Sequence, residues 1–270
     1  MKKLLTLSLA LALTLSLAAC GGKAQAPETG PVELVVFAAA SMNETLNQIA
    51  DDYKAVAPNV KLTFNFDSSG TLKTQIEEGA DCDLFISAAQ KQMNQLDAAA
   101  DPAVNDKGLD FVLQGTRVDL LENKVVLVVP QGNPAGVTSF DDVATDKVKL
   151  IALGNADVPV GQYSEEIFTA MGVWDDLNAG QKITFGTNVK EVTSQVAAAA
   201  VDCGVIYATD ANSAGLEIVA AAPEGTHKPV VYPAAVLNTT KHEDAAKAFL
   251  DYLQGDDATA VFESVGFSAA

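Results

Sequence analysis

The feature that most constrains the fold of this chain is an alternation of short apolar strands with amphipathic helices. Apolar runs such as Leu34–Phe37 and Lys124–Pro130 are interspersed with helical patterns such as Met42–Val56 and Val189–Ala200. Alternation of this kind predicts mainly parallel sheets that carry helices on both faces. No repeat of fixed period interrupts the pattern. The sequence therefore predicts an α/β fold with room for one large domain or two lobes.

The N-terminus carries the pattern of an export signal. Two lysines are followed by an apolar run over residues 4–17 and by the sequence LAAC, which ends at Cys20. The run is too short to span a bilayer comfortably. LAAC resembles the bacterial lipobox, in which the cysteine becomes the lipid-modified first residue of the exported protein. We expect a signal peptide over 1–19, followed over 20–31 by a lipidated Cys20 and a flexible tether.

The charge of the chain narrows the classes of partner. Without the two lysines of the export signal, 15 basic residues remain against 35 acidic ones, a net charge of about −20. Such a charge argues against nucleic acid and against broad contact with anionic lipid. Since 49% of the residues are hydrophobic, the chain is not a disordered acidic tail. We expect a folded body held at a membrane through its lipid anchor, with no nucleic-acid partner.

Four junctions between a predicted strand and the next helix carry hydroxyl groups or glycines. They are FAAASMNE around Ser41, DSSGTL around Ser69, VPVGQYS around Val160 and TNVKE around Val189. Taken singly, each is an ordinary cap or turn; Ser41, for example, precedes Glu44 by three residues, as in a capping box. In parallel sheets such junctions meet at the carboxyl ends of the strands, where helix N-termini present free N–H groups. Together they predict a pocket of neutral donors that suits a small oxyanion.

The joint order of several motifs resembles the periplasmic molybdate-binding proteins, over about residues 32–268. The motifs are FAAASM at 37–42, SSGTLKTQIEEGADCDLFISA at 68–88, VPVGQYS at 158–164, DCGVIYATDA at 202–211, and the closing VYPAAV and VGF. The resemblance implies a two-lobed type II periplasmic-binding-protein fold, each lobe a mainly parallel sheet flanked by helices. Residues 32–121 and 213–270 would form lobe I, and residues 122–212 lobe II.

The resemblance also implies how a ligand is held. Ser41 and Ser69 would donate hydroxyl and amide hydrogens, Val160 and Val189 amide hydrogens only, and Tyr207 its phenol. The implied ligand is molybdate or tungstate, bound as an oxyanion, with no catalytic residue, no cofactor and no metal ligated by side chains. The implied partners are an ABC-transporter permease and its ATPase, and the binding protein is expected to be a monomer.

Closure of the lobes on the ligand is expected to hinge at two chain segments, 121–125 and 208–215. The VPVGQYS segment is predicted as a turn before a helix over Ser164–Met171. Two residues depart from the family pattern. Val160 replaces the usual alanine, which keeps the backbone donor and adds bulk near the pocket. Lys190 replaces the usual arginine and so cannot provide a bidentate guanidinium.

The cysteines that remain after the anchor are Cys82 and Cys203, and each precedes a predicted strand. In the implied fold both lie at strand starts, away from the cleft and in different lobes. A disulfide needs Cα atoms within about 7 Å. We therefore expect free, mostly buried thiols, and no metal site built from this pair.

Two alternatives remain open at this stage. A lipid-anchored hydrolase or transferase is disfavoured because the chain contains no GxSxG, HExxH or CxxC motif. Its two histidines, His227 and His242, lie in polar stretches typical of solvated side chains, and Asp210 is interpreted as a hinge or helix-capping acid. The same fold could instead bind sulfate, phosphate or an organic acid. Phosphate requires an acceptor for its proton, and an organic acid normally recruits arginine, of which Arg117 is the single example.

Overall fold

The structure is a computed structural model, and it describes residues 30–270. The predicted signal peptide, the lipidation site at Cys20 and nearly all of the predicted tether lie outside the described residues. Within residues 30–270 no helix is long and apolar enough to cross a membrane.

Residues 30–270 form eleven strands and nine α-helices. The strands are β1 (Val32–Ala39), β2 (Val60–Asp67), β3 (Leu84–Ile86), β4 (Val118–Asn123), β5 (Val125–Val129), β6 (Ile151–Gly154), β7 (Ile183–Gly186), β8 (Cys203–Tyr207), β9 (Glu217–Ala221), β10 (Val230–Val236) and β11 (Ser268–Ala269). The helices are α1 (Asn43–Val56), α2 (Ser69–Glu77), α3 (Gln90–Asn94), α4 (Pro159–Ala170), α5 (Trp174–Ala179), α6 (Val189–Ala197), α7 (Ala208–Ala214), α8 (Glu243–Leu253) and α9 (Asp256–Val265).

The strands form two sheets, each covered by helices. The first has the order β11-β4-β10-β3-β1-β2 and the second the order β7-β6-β8-β5-β9. Helices α1, α2, α3 and α8 pack on strands of the first sheet, and α4, α6 and α7 on strands of the second. We call the first sheet with its helices lobe I and the second with its helices lobe II. The predicted α/β fold with two lobes is confirmed.

Both sheets are mixed, which corrects the expectation of mainly parallel strands. In lobe I, β1 pairs in parallel with β2 and β3, whereas β10 runs antiparallel to β3 and β4. In lobe II, β6 pairs in parallel with β7 and β8, whereas β5 runs antiparallel to β8 and β9. Strands β5 and β10 each follow a passage between the lobes, and a chain that enters a sheet from the other lobe need not follow the βαβ direction. The C-terminal strand β11 also pairs antiparallel, with β4.

The chain passes between the lobes twice. The first passage is at Lys124, between β4 and β5, inside the predicted segment 121–125. The second is the segment 222–229, between β9 and β10, and not 208–215. The assignment of 213–270 wholly to lobe I is wrong for β9, because this strand pairs with β5 in the lobe II sheet. Which sheet edge a short strand joins depends on its partner, and the strand's own sequence does not name that partner.

Several local elements differ from the sequence prediction. Helix α4 begins at Pro159 and not at Ser164, since proline suits the first helical turn. The region around residue 142, which the sequence left unassigned, is a short 3-10 turn over Phe140–Ala144. Helices α5, α7 and α9 and strands β4 and β11 were not predicted. These elements are short or polar on one side, so their apolar patterns are weak.

The core fills both faces of the lobe I sheet. Val36 and Ala38 of β1 face the larger apolar cluster, which continues through lobe II, whereas Phe37 faces a smaller cluster with Leu72 and Phe85. This arrangement follows from the two-residue period of a strand, which directs successive side chains to opposite faces. Burial on both faces explains why β1 is apolar from Leu34 onward and does not alternate with polar residues, whereas the exposed Glu33 lies near its start.

Cys82 and Cys203 are free and buried, as predicted. Cys82 lies before β3 in lobe I and Cys203 begins β8 in lobe II. Burial raises the pKa of the Cys82 thiol well above its usual range and that of Cys203 to about 12. Both thiols are therefore protonated at neutral pH and serve as small apolar side chains.

Candidate ligand-binding site

A small cavity lies between the two lobes, where the carboxyl ends of β1, β2 and β8 meet the N-termini of α2, α4 and α6. Residues from both lobes form its wall: Ala39, Ala40, Ser41, Asp67, Ser68, Ser69, Ala88, Val158, Pro159, Val189 and Tyr207. The cavity volume is about 10 Å³. Pockets for drug-sized organic ligands usually enclose roughly 300 to 1,000 Å³. The cavity has room for about one water molecule, which excludes an organic acid, and a tetrahedral oxyanion enters only if the wall moves outward.

Ser41 lies in a 3-10 turn over Ala40–Met42, directly after β1. It is not a helix cap: Met42 occupies the N-cap position of α1, and no side chain caps that helix. The Ser41 hydroxyl is instead 2.9 Å from the hydroxyl of Tyr232. The prediction of an ordinary capping box is therefore wrong here, and the hydroxyl is available to the cavity wall.

Ser69 is the first residue of α2, and its neighbour Ser68 caps the helix by accepting a hydrogen bond from Thr71 N–H at 3.1 Å. Since the cap falls to Ser68, the Ser69 side chain is not needed at the helix end. Its Oγ accepts a hydrogen bond from the backbone N–H of Ala88 at 2.9 Å. The hydroxyl hydrogen of Ser69 remains for a second partner, and its backbone N–H has no acceptor within the helix.

Val189 begins α6, after the N-cap Asn188, whose side chain accepts a hydrogen bond from Glu191 N–H at 3.1 Å. The cap of this helix is therefore Asn188, the second residue of the TNVKE junction. As the first helical residue, Val189 has a backbone N–H without an intrahelical acceptor. That group lies at the positive end of the helix dipole, beside the cavity.

Val160 does not line the cavity, although the sequence placed it there. Val158 and Pro159 do so, and the Val160 side chain is fully buried in the core of lobe II. Because α4 begins at Pro159, which has no N–H, the amide of Val160 is the first donor of the helix. The extra bulk relative to alanine is therefore taken up by the core and does not narrow the cavity.

Tyr207 ends β8, and its side chain is fully buried at the cavity. Its hydroxyl has no hydrogen-bond partner among residues 30–270. Burial and then the nearby phenol of Tyr232 raise the pKa of Tyr207 well above its usual value, but no hydrogen bond of ordinary geometry joins the two hydroxyls. A buried phenol that stays protonated and unpaired costs about 1 to 3 kcal/mol. A ligand that accepts its hydrogen would recover this cost.

Three polar contacts join the lobes at the rim of the cavity. The backbone N–H of Gly70 donates to the carbonyl oxygen of Asp157 at 3.0 Å. The Asn188 amide donates to Asp67 Oδ1 at 3.2 Å. The Lys190 ammonium lies 2.7 Å from a carboxylate oxygen of Glu44. These contacts hold the two lobes together beside the cavity.

The charged residue Lys190 and its two carboxylate partners lie outside the cavity wall. Among the residues that the structure describes, Asp67 is the one charged residue in the wall. Lys190 is also 3.0 Å from Asp210, which is fully buried. Burial raises the pKa of Asp210 to about 6, against the opposing effect of Lys190. Burial alone would lower the pKa of Lys190, but Asp210 and Glu44 reverse this and raise it. The lysine thus carries a charge that its two carboxylates already compensate.

Asp67 is a carboxylate in the cavity wall that the sequence did not assign to the pocket. Its Oδ1 accepts hydrogen bonds from Ser68 N–H at 2.7 Å and from Asn188 at 3.2 Å. Two donors therefore engage that oxygen, one from each lobe. No lysine or arginine belongs to the described residues of the wall.

Comparison with known proteins gives the family. The sequence pattern of the bacterial extracellular solute-binding proteins matches residues 34–268. This chain belongs to that family. The solute-binding protein is 39% identical over 240 residues to YvgL of Bacillus subtilis, whose name describes an ABC-transporter substrate-binding lipoprotein, covering 88% of this chain and 87% of the relative.

Two further relatives carry a ligand in their names. The molybdate-binding protein ModA of Haemophilus influenzae is 35% identical over 242 residues, which cover 88% of this solute-binding protein and 90% of the relative. The solved periplasmic molybdate-binding protein of Azotobacter vinelandii superposes with a TM-score of 0.75 at 25% identity, covering 88% of this chain and 99% of that one. The resemblance inferred from the motifs is confirmed at the level of the family.

In this solute-binding protein the cavity wall includes four of the five predicted ligand residues, Ser41, Ser69, Val189 and Tyr207. Their role in binding stays a prediction. Asp67 and Gly70 lie inside the DSSGTL junction, but sequence reasoning gave Asp67 no role in the pocket and Gly70 no partner in the other lobe. Tyr232 lies in the quoted VYPAAV motif, and its hydroxyl was not assigned to the site.

Proposed function

We propose that this protein captures molybdate or tungstate between its lobes and delivers the anion to an ABC importer. The observation that carries the proposal is the unpaired, fully buried hydroxyl of Tyr207 at a cavity where uncompensated donors from both lobes converge. The names of the relatives from Haemophilus influenzae and Azotobacter vinelandii support the same ligand. Ser41, Ser69, Val160, Val189 and Tyr207 are the proposed ligand donors.

Neutral donors are sufficient to hold a dianion at this place. The N-termini of α2, α4 and α6 contribute the backbone N–H groups of Ser69, Val160 and Val189, and each helix end carries about half a positive charge. The hydroxyls of Ser41, Ser69 and Tyr207 add donors whose hydrogens are free to turn toward an anion. Charge-assisted bonds of this kind contribute about 1.5 to 3 kcal/mol each.

Hydrogen phosphate is the second candidate, and one observation favours it. Asp67 in the cavity wall is an acceptor that could take the proton of this anion. Sulfate, by contrast, offers the same shape and charge as molybdate, so the size of the closed pocket must separate those two. The donors already bound to Asp67 Oδ1 weigh against phosphate, because they leave fewer acceptor positions for a ligand proton.

The setting proposed for this site is the outer side of the cell membrane. A lipid on Cys20 would anchor the protein as a monomer, and the closed form would dock on a permease whose ATPase drives transport. The family and the name of the Bacillus subtilis relative support this assignment. Mass spectrometry of the protein purified from its own membrane tests it: an unmodified chain that still contains residues 1–19 contradicts the anchor.

Calorimetric titration of residues 31–270 with molybdate, tungstate, sulfate and phosphate tests the ligand. We expect one-to-one binding of the first two and no heat from the others. Ser41→Ala combined with Ser69→Ala removes two hydroxyl donors and should weaken molybdate binding by about 3 to 6 kcal/mol. Ser264→Ala is the matched control, since that hydroxyl bonds only the carbonyl of Val261 in α9. Binding of phosphate alone would replace the proposed ligand by the second candidate.

A further inference from the structure

We propose that Asn123 and Tyr232 form a hydrogen-bond relay that fixes the direction of the Ser41 hydroxyl, so that Ser41 presents its hydrogen to the ligand. The relay rests on the proposed function, because it assigns a selectivity device to the same site. Neither Asn123 nor Tyr232 lines the cavity. Both are therefore positioning residues that act through Ser41.

The relay begins with the Asn123 side chain, whose orientation is fixed by the backbone. Lys124 N–H donates to Asn123 Oδ1 at 2.8 Å, so this atom must be the carbonyl oxygen of the amide. The NH₂ group then points the other way. It donates to Thr209 Oγ1 at 2.9 Å and to the Tyr232 hydroxyl at 3.3 Å.

Tyr232 connects the Asn123 amide to the Ser41 hydroxyl by hydrogen bonds. Its phenol has a single hydrogen, and its oxygen already accepts from Asn123. The hydrogen is therefore donated to the other partner, Ser41 Oγ, at 2.9 Å. The ring cannot turn away, because it is fully buried and packs edge-on against Tyr207 and Phe267, at centroid distances of 5.8 and 5.3 Å. Burial also raises the pKa of Tyr232 well above its usual value, which keeps the hydrogen in place.

Ser41 receives the hydrogen of Tyr232 and has one hydrogen left. The cavity is the remaining direction open to the buried hydroxyl, which makes Ser41 a donor there. Every oxygen of a fully deprotonated oxyanion is an acceptor, so whichever oxygen faces Ser41 can receive its hydrogen. A protonated oxyanion such as hydrogen phosphate presents an O–H that needs an acceptor, and at this position it meets the Ser41 hydrogen, because the hydrogen bond from Tyr232 takes one of the two acceptor lone pairs of Ser41. The relay thus favours molybdate and tungstate over phosphate.

The relay also sits at the passage between the lobes. Asn123 is the last residue of β4, immediately before the passage at Lys124, and Thr209 belongs to α7 in lobe II. The same amide that orients Tyr232 in lobe I therefore bonds lobe II across the first passage. The Asn123 side chain therefore affects both the relative motion of the lobes at this passage and the direction of the Ser41 hydroxyl.

Tyr232→Phe tests the relay, because it removes the hydroxyl and keeps the ring packing. We expect molybdate affinity to fall about three- to ten-fold, which corresponds to one neutral hydrogen bond. The preference for molybdate over phosphate should fall as well, since Ser41 is then free to accept. Tyr252→Phe is the matched control: this tyrosine packs on Tyr53 in lobe I, away from the cavity, and its loss of a hydroxyl should leave both quantities unchanged.

A double-mutant cycle separates the relay from a general structural effect. In a Ser41→Ala background, Tyr232→Phe should cause no further loss of molybdate affinity, because Tyr232 acts through Ser41. Asn123→Asp supplies a second variant, since it replaces the NH₂ by an acceptor and reverses the relay. Asn123→Asp should reduce molybdate affinity more in the protein that contains Ser41 than in the Ser41→Ala background. In the Ser41→Ala background only the added negative charge acts on the ligand.

The outcomes are distinct. If the wild type binds molybdate and Tyr232→Phe binds equally well, or loses the same factor in both backgrounds, the relay is wrong and the proposed function stands. If the wild type binds none of the four anions, the proposed function fails and the relay fails with it. A loss confined to the background that contains Ser41, together with weaker discrimination against phosphate, supports the relay.

Discussion

Gly70→Ala tests whether the closed arrangement of the lobes is the binding form. Gly70 is the second residue of α2, and a Cβ built there would lie 2.3 Å from the carbonyl oxygen of Asp157 in lobe II. Real Cβ atoms essentially never come within 3.0 Å of a heavy atom, so the lobes must separate by at least 0.7 Å at this point. The backbone hydrogen bond from Gly70 to Asp157, 3.0 Å long, is lost or stretched at the same time.

The magnitude follows from the bonds that closure makes. The interlobe N–H bond contributes about 0.5 to 1.5 kcal/mol, and the weakening of one charge-assisted bond to the ligand costs about 1.5 to 3 kcal/mol. Together, about 2 to 4.5 kcal/mol corresponds to a loss of affinity of about thirty-fold to two-thousand-fold. Stability of the unliganded protein should change little, because the preference of a helix for alanine over glycine, about 1 kcal/mol, offsets the loss of the interlobe bond. The unliganded variant should therefore unfold near the wild-type temperature.

Calorimetric titration with molybdate and thermal unfolding of the ligand-free protein measure the two effects separately. Gly161→Ala is the matched contrast. Its Cβ would lie 2.3 Å from the carbonyl oxygen of Gly154, which belongs to the same lobe, so opening the cleft cannot relieve the clash. That variant should lose stability. Wild-type affinity in Gly70→Ala would refute the conclusion that the ligand is held with the lobes in this arrangement.

Three further predictions address single groups. Tyr207→Phe should weaken molybdate binding by about 1.5 to 3 kcal/mol without lowering stability, because the lost hydroxyl is unpaired in the ligand-free protein; titration and thermal unfolding decide, and unchanged affinity contradicts its role. Val160→Ala should cost about 2 kcal/mol of stability and leave affinity nearly unchanged, because its side chain packs in the core while its amide is retained; a large loss of affinity would place the side chain at the ligand. Asp210 has a pKa raised by burial to about 6 from 3.8, so its contribution to stability is present below about pH 4 and is lost as the pH rises through about 6. Asp210→Asn should remove this part of the pH dependence in denaturant unfolding, and an identical pH profile in both proteins would contradict it.

The site was more predictable from sequence than the path of the chain. Ser69 and Val189 follow strands and begin helices, and that order alone places their N–H groups at the carboxyl end of a sheet. Ser41 was located correctly but given the wrong local role, since a serine three residues before a glutamate fits a capping box as well as it fits a turn. Val160 was assigned to the site through the family resemblance, as a backbone donor. The helix start at Pro159 keeps that amide at the N-terminus of α4, whereas the side chain packs in the core of lobe II.

The sequence by itself determined the α/β class, the strand-to-helix junctions that carry donors, and the acidic body with few cations. These properties follow from local periodicity and from residue chemistry, which a chain carries wherever it folds. The tertiary structure decided which strands pair, and so placed β9 in lobe II. It also decided that Asp67 joins the cavity wall and that Asn123, Tyr232 and Ser41 meet. Ser41 and Tyr232 are 191 positions apart in the chain. A local sequence pattern cannot predict their contact, because the two residues meet only when the strands of the lobe I sheet pair.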